Sequence, residues 1–574
     1  MAIHYRVALD DRNSHLFRVA LTLPAPAAAQ GLSLPVWLPG SYLLREFARH
    51  LQDLQGTQGG RPVRLEQIDK TRWVAHCEGD APLELSWRVH ALDSSVRGAW
   101  LDADRGFFNG SSLFLAAEGR THEPQRLSIG RLPGGWELAT SMLPGRGRQV
   151  FEAADYAELI DHPVEMGRFW RGRFEAGGVP HEFVVTGAWP GFDGERLLAD
   201  TARIARAQIR LWHGRGRPPF TRYLFLLRAS DDGYGGLEHR ASTALLASRR
   251  DLPRAGTAAR DTGYQRLLGL ISHEYFHAWN VKRLIPVELA APDLGREAYT
   301  RLLWWFEGAT SYYDDLVLCR AGLAEPARYL ELLGSHLNTV AATPGRRVQS
   351  VAQASFDAWT RYYRPDEYTP NGTVSYYAKG ALVAACLDLT LRLAGEGTLD
   401  GALRRLWKLE RPVTEDDIAD ALAAEAGRSL RPELQAWVHG TKELPLASLL
   451  SEFGVDCQAD APAFAAALGL RLNEGPVSGI TVRHVLRGSA AEQAGVMPGD
   501  ELVAADGWRL RRLDDARAWV APDAGFELLL VRDQRVRSLR MPPAIAPAVA
   551  GVNLRLDDRA AAAAVARRRA WLGA

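Results

Sequence analysis

The stretch YQRLLGLISHEYFH, residues 264–277, decides the fold of the region around it. Its apolar residues recur at helical spacing and predict a buried α-helix. His273 and His277 stand four positions apart on one face of such a helix, so both imidazoles can reach one metal ion. Glu274 is rotated by about 100° from His273 and is left to take a proton from a water molecule. Neutral imidazoles together with a carboxylate suit Zn²⁺, and the stretch therefore predicts a catalytic zinc site with one open position.

A third ligand is expected from a neighbouring helix. The segment WWFEGAT offers Glu307 among aromatic and small residues. Burying an unpaired carboxylate is costly, and a metal ion would explain it, while an ion pair with an arginine such as Arg301 or Arg320 is the alternative. Glu288 and Glu297 compete for the same role. The groups that orient the histidines are sought among Asn280, Ser311, Asp314 and Asp315.

Two further motifs flank this helix along the chain. Upstream, the motif GYGGLEH contains Gly235, Gly236 and Glu238 and precedes an apolar run that predicts a strand. The glycines would let a peptide approach the strand edge closely, and the acid could pair with a free amino group. A glycine-rich turn with a solvated glutamate is the plainer interpretation. Downstream, Tyr377 in SYYAKG could donate a hydrogen bond to an oxyanion, or it could simply pack.

The rest of the chain changes character along its length. Residues 1–175 are short strand-like segments between Gly/Pro turns and predict an antiparallel β domain, in outline a sandwich. A helix over 195–213 and a buried strand over 223–230 are predicted next. Short strands surround a short helix in residues 465–545, and the final Ala-rich segment predicts a docked or frayed helix. The candidate helices between these regions span 262–282, 297–320, 326–338, 376–394, 398–408 and 415–424.

Composition and charge exclude several classes of protein. The 574 residues are 47% hydrophobic and 24% charged, which excludes a largely disordered, collagenous or coiled-coil chain. A net charge of +1 argues against nucleic acid as a partner. The sequence contains no run of about 18 apolar residues, which a membrane span would need, and no recognisable secretory signal. We therefore expect a cytoplasmic protein. Scattered cysteines predict reduced thiols rather than disulfides; they are Cys77, Cys319, Cys386 and Cys457.

The motifs HEYFHAWN, WWFEGATSYY, GGLEH and SYYAKG together resemble those of the PDZ-containing glycyl aminopeptidase family of zinc metallopeptidases. This family is distantly related to larger aminopeptidases with GAMEN and YEKG motifs. VWLPGSYLLREFARH and GFFNGSSLFL are similar to the same family, so the resemblance covers nearly the whole chain. It implies a multidomain α+β protein whose mainly helical, thermolysin-like zinc peptidase domain contains a small β-sheet. The implied domains are an N-terminal β-sandwich-like domain (1–175), the catalytic domain (176–450), a PDZ-like domain (451–545) and a tail helix (546–574).

The resemblance also implies roles for the residues of the zinc motifs. His273, His277 and Glu307 match the three ligands of one Zn²⁺ per chain. Glu274 matches the general base that activates the attacking water. Tyr377 matches the tyrosine that stabilises the oxyanion. The interval between His277 and Glu307 is longer than in the larger aminopeptidases, so this ligand assignment depends on the WxxEG context.

Substrate-binding residues follow from the resemblance in the same way. Glu238 matches the acid that binds the amino terminus of the substrate, with Gly235 and Gly236 beside it, although GGLEH stands where the larger group has GAMEN. A PDZ-like domain would capture peptide C-termini by backbone N–H groups of its carboxylate loop, or would only pack against the catalytic domain. The residues that match this loop are Leu468, Gly469 and Leu470.

These roles predict a zinc-dependent aminopeptidase that acts on peptides with a free N-terminus. By resemblance, it would remove small N-terminal residues such as Gly or Ala. Two alternatives stay open: a zinc endopeptidase without amino-terminal recognition, and a non-enzymatic PDZ peptide-binding scaffold with a structural zinc. An intact Glu274 favours catalysis, because a structural zinc site needs no general base.

Overall fold

The computed structural model describes residues 2–460, 463–475, 477–521, 523–543 and 551–573. The chain divides into two compact units, Met1–Ala298 with Trp407–Val413, and Tyr299–Leu406 with Thr414–Ala574. Within the described ranges, no helix is long and apolar enough to cross a membrane. All four cysteines are free thiols, and three of them are buried.

The N-terminal part of the first unit is a β-sheet domain. In chain order its strands are Ile3–Asp11 (β1), Leu16–Leu23 (β2), Ala29–Ser33 (β3), Leu51–Gln58 (β4), Arg61–Pro62 (β5), Arg64–Gln67 (β6), Arg72–His76 (β7), Leu83–His90 (β8), Ala99–Leu101 (β9), Arg105–Phe108 (β10), Ala116–Ala117 (β11), Gln125–Ile129 (β12), Glu137–Thr140 (β13), Leu143–Pro144 (β14), Val150–Ala153 (β15) and Val164–Gly167 (β16), with one short helix, Tyr156–Ile160 (α1). These strands form three sheets, with the orders β14-β15-β12-β1-β2-β8-β4-β5, β13-β16-β10-β9 and β11-β3-β7-β6.

Alternating side chains explain how this domain builds its core. In β8, Leu83 and Leu85 are buried while Glu84 between them is exposed, which is the period-2 pattern of a strand with one face on a core. Residues from all three sheets meet in one hydrophobic cluster. The prediction of an antiparallel domain is wrong at one pair, because β1 runs parallel to β12. Side-chain alternation has the same period in both kinds of pairing and carries no information about strand direction.

The second part of the first unit is a five-stranded sheet with two helices. Its elements are Trp170–Ala176 (β17), Val179–Thr186 (β18), Gly194–His213 (α2), Tyr223–Ser230 (β19), Gly235–Glu238 (β20), Ser242–Ser248 (β21) and Thr262–Phe276 (α3). The strand order is β17-β18-β19-β21-β20, so β20 is an edge strand, and it pairs antiparallel with β21. The helix α3 packs against β20, β21 and α2.

Capping residues fix where α3 begins, and a turn fixes where it ends. The Asp261 side chain accepts a hydrogen bond from the N–H of Tyr264, as a good N-cap does. The predicted helix over 262–282 is six residues too long, because the chain turns after Phe276 and reaches a φ of 109° at Val281. His273 and Glu274 therefore stand in the last turn of α3, and His277 is its C-cap.

The first part of the second unit is helical. Its helices are Leu303–Phe306 (α4), Gly308–Arg320 (α5), Pro326–Ala341 (α6), Val351–Phe356 (α7), Thr369–Gly372 (α8), Tyr376–Ala394 (α9), Leu399–Trp407 (α10), Glu415–Ala426 (α11), Arg431–Leu434 (α12) and Leu446–Ser451 (α13). The helix α9 is apolar almost all round and is accordingly buried by its neighbours, α5 above all. The predicted helix over 297–320 is wrong in its first part, since helical structure starts at Leu303 and is interrupted at Glu307.

The end of the second unit contains a further sheet. Its elements are Val455–Ala459 (β22), Phe464–Leu468 (α14), Leu470–Gly475 (β23), Gly479–Val485 (β24), Ala490–Ala494 (α15), Glu501–Ala505 (β25), Trp508–Arg509 (β26), Phe526–Arg532 (β27), Arg535–Met541 (β28), Val552–Leu556 (β29) and Ala562–Leu572 (α16). We call the sheet β23-β24-β25-β27-β28, with β26 beside β25 and with α14 and α15, the C-terminal module; it has a hydrophobic core of its own. The predicted domain boundary at 545/546 lies outside the described residues.

The segments before and after the C-terminal module return to each other. The strand β22 pairs antiparallel with β29, and α16 follows at the C-terminus. Trp571 of α16 is fully buried, so the final helix is docked rather than frayed. Its indole N–H donates a hydrogen bond to the Tyr312 hydroxyl of α5 at 2.8 Å.

Candidate active site

The two motif histidines face each other at the end of α3. Their Nε2 atoms lie 3.1 Å apart, and the Nδ1–H of His277 donates to the backbone oxygen of Asn280 at 2.8 Å. That hydrogen bond leaves the lone pair of His277 Nε2 directed at His273. Two converging imidazole nitrogens fit a divalent transition metal such as Zn²⁺. Asn280, one of the residues predicted to orient the histidines, does so for His277 through its backbone carbonyl group.

Glu274 is buried against the edge strand β20. Gly236 of β20 lies so close to it that a Cβ at this position would overlap the Glu274 carboxylate. Arg97 fixes the strand from the N-terminal domain, because its guanidinium donates to the Gly236 oxygen at 2.9 Å. The absence of a side chain at Gly236 therefore determines where the Glu274 carboxylate can lie.

Glu238 lies on the same face of β20 as Gly236. Alternate residues of a strand share a face and lie about 7 Å apart along it. Glu238 is 4% exposed, and its Oε1 atom has no hydrogen-bond partner among the described residues. A Cβ at Gly40, in the loop after β3, would overlap the same carboxylate. The glutamate is thus held in a buried position, not in a solvated turn, and it lines a cavity of about 540 Å³ with Trp37 and Phe220.

A buried charge cluster fixes the chain where β20 ends. Lys282 Nζ lies 2.8 Å from the Asp161 carboxylate, and the N–H of Arg240 donates to Asp161 at 2.8 Å. The His239 Nδ1 atom lies 3.3 Å from the same carboxylate. Burial raises the pKa of Asp161, but Lys282 and His239 outweigh it and hold the pKa well below its usual value. Sequence reasoning missed Asp161, because it belongs to no motif and its partners lie far along the chain.

Glu307 is buried in the second unit, between α4 and α5. Its N–H donates to the Leu303 oxygen and its own oxygen accepts from the N–H of Ser311, each at 2.8 Å. Gly308 beside it touches Gly380 of α9 so closely that a Cβ on either would overlap the other helix. The glycines of the WxxEG and YxKG motifs therefore allow α5 and α9 to cross in contact. Arg320, one candidate partner for Glu307, binds Asp400 at 2.9 Å instead.

Tyr377 belongs to a cluster of phenols at the start of α9. Its hydroxyl lies 3.0 Å from the Tyr363 hydroxyl and shares a hydrogen bond with it. The Tyr362 ring stacks on Tyr377 with 5.4 Å between ring centroids. Burial, and after it the charge of Glu307, raises the pKa of Tyr377 well above its ordinary value. Tyr377 is therefore a protonated hydroxyl at neutral pH, and Tyr363 is a partner that no motif indicated.

Comparison with known proteins gives the family. The model of the Peptidase M61 N-terminal domain matches residues 4–168, and the model of M61 glycyl aminopeptidase matches residues 266–383. The crystal structure of an aminopeptidase N family protein from Idiomarina loihiensis is 35% identical over 99% of this chain and 100% of that one, with a TM-score of 0.94. The chain belongs to the M61 glycyl aminopeptidase family. This M61 peptidase is a zinc metallopeptidase, and its cofactor is Zn²⁺, as the sequence predicted.

More distant structures also match the M61 chain. The M1 zinc metallopeptidase from Deinococcus radiodurans is 15% identical, with a TM-score of 0.48, over 78% of this chain and 94% of that one. A mutant of that protein, bound to a Tyr-Ser-Ala substrate, is 15% identical with a TM-score of 0.49, over 78% of this chain and 95% of that one. No curated protein sequence matches. Membership of a peptidase family removes the support for a non-enzymatic scaffold.

Proposed function

We propose that this zinc aminopeptidase recognises the free amino terminus of a peptide through Glu238 and removes the first residue. The observation that carries the proposal is the buried Glu238 carboxylate, whose Oε1 atom has no hydrogen-bond partner among the described residues. Such a carboxylate is costly to bury alone, and a substrate ammonium group would compensate it. An endopeptidase cleaves inside a chain and presents no free amino terminus for this acid to bind.

His273, His277 and Glu307 are the residues we propose as the zinc ligands. The converging Nε2 atoms of the histidines and the buried carboxylate of Glu307 support this set, because two imidazoles and one carboxylate form a catalytic zinc site with an open position. When bound, zinc polarises the scissile carbonyl group and lowers the pKa of the attacking water. His277 is kept in orientation by its hydrogen bond to the Asn280 oxygen.

Glu274 is the proposed general base. Its carboxylate takes a proton from the attacking water and later passes it to the leaving amine. The contact with Gly236 supports this role, since it keeps the carboxylate beside the strand along which a substrate would lie. The edge of β20 at Gly235 and Gly236 would hold that extended substrate by backbone hydrogen bonds.

Tyr377 is the proposed donor to the oxygen of the scissile carbonyl. As the bond to water forms, negative charge develops on this oxygen, and a phenol that stays protonated can donate a hydrogen bond to it. The raised pKa of Tyr377, caused first by burial, supports this role. Removal of one such donor costs a factor of about 10²–10³ in kcat.

The proposed preference for glycine or alanine at the first position is supported only by the family description, which names glycine. The Glu238 cavity of about 540 Å³ has room for more than a methyl group. A series of substrates from glycyl to leucyl and phenylalanyl amides therefore decides the preference. A kcat/KM that falls with side-chain size supports it, and one that rises refutes it.

The C-terminal module is proposed to be PDZ-like, with Leu468, Gly469 and Leu470 as a carboxylate-binding loop. Gly469 has a φ of 78° and turns the chain from α14 into β23. Because β23 ends the sheet, a peptide C-terminus could add to it as a further strand while loop N–H groups hold its carboxylate. A module that only packs on the helices is the alternative, and binding of C-terminal peptides to the full chain distinguishes the two.

The experiment that tests the aminopeptidase proposal measures zinc content together with hydrolysis of a glycyl or alanyl chromogenic amide, unblocked and N-acetylated. We expect about one zinc per chain and activity on the unblocked compound only. Glu238→Gln should lower kcat/KM for the unblocked compound by at least about 100-fold, because the charge-assisted bond to the ammonium is lost. Glu175→Gln, at an exposed position in β17, is the matched control. Equal activity on both compounds would instead identify an endopeptidase.

A further inference from the structure

The C-terminal module is joined to the helices of the second unit through the carboxamide of Asn371. This side chain is 4% exposed and lies in α8. Its Nδ2 donates to the Val485 oxygen, and its Oδ1 accepts from the N–H of Arg487, each at 2.8 Å. One carboxamide thus satisfies an acceptor and a donor of the turn after β24, much as a neighbouring strand would.

A second contact holds the same hairpin of the module. The Arg471 guanidinium of β23 donates to the Ala342 oxygen at 2.8 Å and to the Thr343 hydroxyl at 3.3 Å. Ala342 is the C-cap of α6, where backbone carbonyl groups lack helical partners and a positive charge is favourable. Strands β23 and β24 are therefore held at two points, and the module has a defined orientation on these helices.

Asn371 lies in the segment that also carries the phenol partner of Tyr377. Residues 360–375 connect α7 and its following turn to α9 and contain only the single-turn helix α8. Tyr363 of this segment shares the 3.0 Å hydrogen bond with Tyr377. Near its other end, the N–H of Val374 donates to the Gln349 side chain at 3.2 Å. A segment with so little regular structure depends on such contacts for its conformation.

We propose that the C-terminal module positions Tyr377 for catalysis through Asn371 and Tyr363. The inference rests on the proposed role of Tyr377 as the donor to the carbonyl oxygen. When the Tyr363 hydroxyl donates to the Tyr377 oxygen, the single proton of Tyr377 is left to point at the substrate, and the two hydrogen bonds strengthen each other. Tyr363 and Asn371 are positioning residues in this scheme, and loss of the Asn371 contacts lets the segment 360–375 move away from α9.

Asn338 offers a matched control for Asn371. Its Nδ2 donates to the Val552 oxygen at 3.0 Å and its Oδ1 accepts from the N–H of Val552 at 2.7 Å, so it makes the same pair of bonds to β29. Asn371→Ala and Asn338→Ala each remove one such pair from the full-length protein. We expect Asn371→Ala to lower kcat about tenfold with KM nearly unchanged, while Asn338→Ala keeps the kcat of the parent enzyme. Equal kcat values for the two variants would overturn the inference.

Tyr363→Phe tests the same inference if Asn371→Ala folds poorly. It should lower kcat by a similar factor with zinc content unchanged. The double variant should show no further loss, because both residues act through one contact, and a multiplied loss would contradict the proposed path. Tyr377→Phe tests the role of Tyr377 itself, separately from the positioning role of Tyr363. If it keeps the parent kcat, the role of Tyr377 and this inference fail together; if it loses kcat while Tyr363→Phe does not, only the inference fails.

Discussion

Gly236 and Glu274 are in contact, and the contact leaves no room for a side chain on Gly236. The glycine belongs to the edge strand β20, and the glutamate to the last turn of α3. A helix and a strand can approach this closely only where one of them lacks a Cβ. The position of the proposed general base is therefore set by an absent side chain on a different element.

Replacement of Gly236 by alanine should displace the Glu274 carboxylate and lower kcat by about 100-fold or more, because general-base catalysis contributes roughly 10²–10⁴ and depends on geometry. Zinc content should stay unchanged, since the histidines are not moved. Gly334→Ala in α6 is the control, because a Cβ there meets its neighbours at ordinary contact distance, from 3.6 Å. Unchanged kcat in Gly236→Ala would show that Glu274 tolerates the shift and would weaken its assignment.

The third zinc ligand can be tested against the two glutamates that compete with it in the sequence. Glu307 is 2% exposed, whereas Glu288 is exposed and Glu297 half-buried. Glu307→Gln should bind zinc at least about 10-fold more weakly and lose hydrolysis with it, because an anionic ligand becomes neutral. Metal analysis after dialysis against a weak chelator measures this. Zinc retained in Glu307→Gln but lost in either of the other two Gln variants would reassign the ligand.

Much of the region around the histidines could be predicted because its signals are local. The strands β19 and β21 occupy the predicted stretches, and α9 spans the predicted 376–394, since continuous apolar runs and an N-cap at Ser375 are visible in a few adjacent residues. The HExxH pair needs only one helical turn to bring its imidazoles together. Family membership and zinc chemistry followed from such short motifs.

Other parts of the site depend on partners that are distant in the sequence. Asp161 holds the end of β20 through Lys282 and His239, and Tyr363 meets Tyr377 through a loop without periodicity. Neither residue type nor spacing in the sequence predicts such pairs, because they come into contact only when the chain folds. The early end of α3 has the same origin, since its sequence remains compatible with a helix beyond Phe276.

The C-terminal helix α16 should contribute strongly to stability through one tryptophan. Trp571 is fully buried between Tyr329 and Phe453, and its carbonyl oxygen accepts two hydrogen bonds from Arg320, at 3.1 and 3.2 Å. Trp571→Ala should lower the free energy of unfolding by about 3–5 kcal/mol, the usual cost of such a truncation. Trp508→Ala, at a 67% exposed position, should change it by less than about 0.5 kcal/mol. Equal denaturant midpoints for both variants would mean that α16 is not docked in solution.

The last prediction concerns acid stability and depends on His181 of β18. This histidine is 1% exposed, its Nδ1–H donates to the Val179 oxygen at 2.9 Å, and its Nε2 accepts from the Tyr275 hydroxyl of α3 at 2.8 Å. Burial lowers its pKa from 6.5 to about 4. His181 is therefore neutral in the folded protein near neutral pH. Its hydrogen bond to Tyr275 connects β18 to α3, the helix that carries the zinc motif.

Because the unfolded chain binds this proton near pH 6.5 and the folded chain only near pH 4, the contribution of His181 is complete above pH 6.5. It is lost as the pH falls from 6.5 to about 4, which amounts to about 3 kcal/mol, and it changes little below that. His181→Gln keeps an acceptor for Tyr275 but cannot titrate, so its free energy of unfolding should depend less on pH across this window. His122→Gln, at an exposed position, should keep the parent slope. Denaturant unfolding at half-unit pH steps measures the difference, and identical slopes for the two variants would show that folding does not lower the pKa of His181.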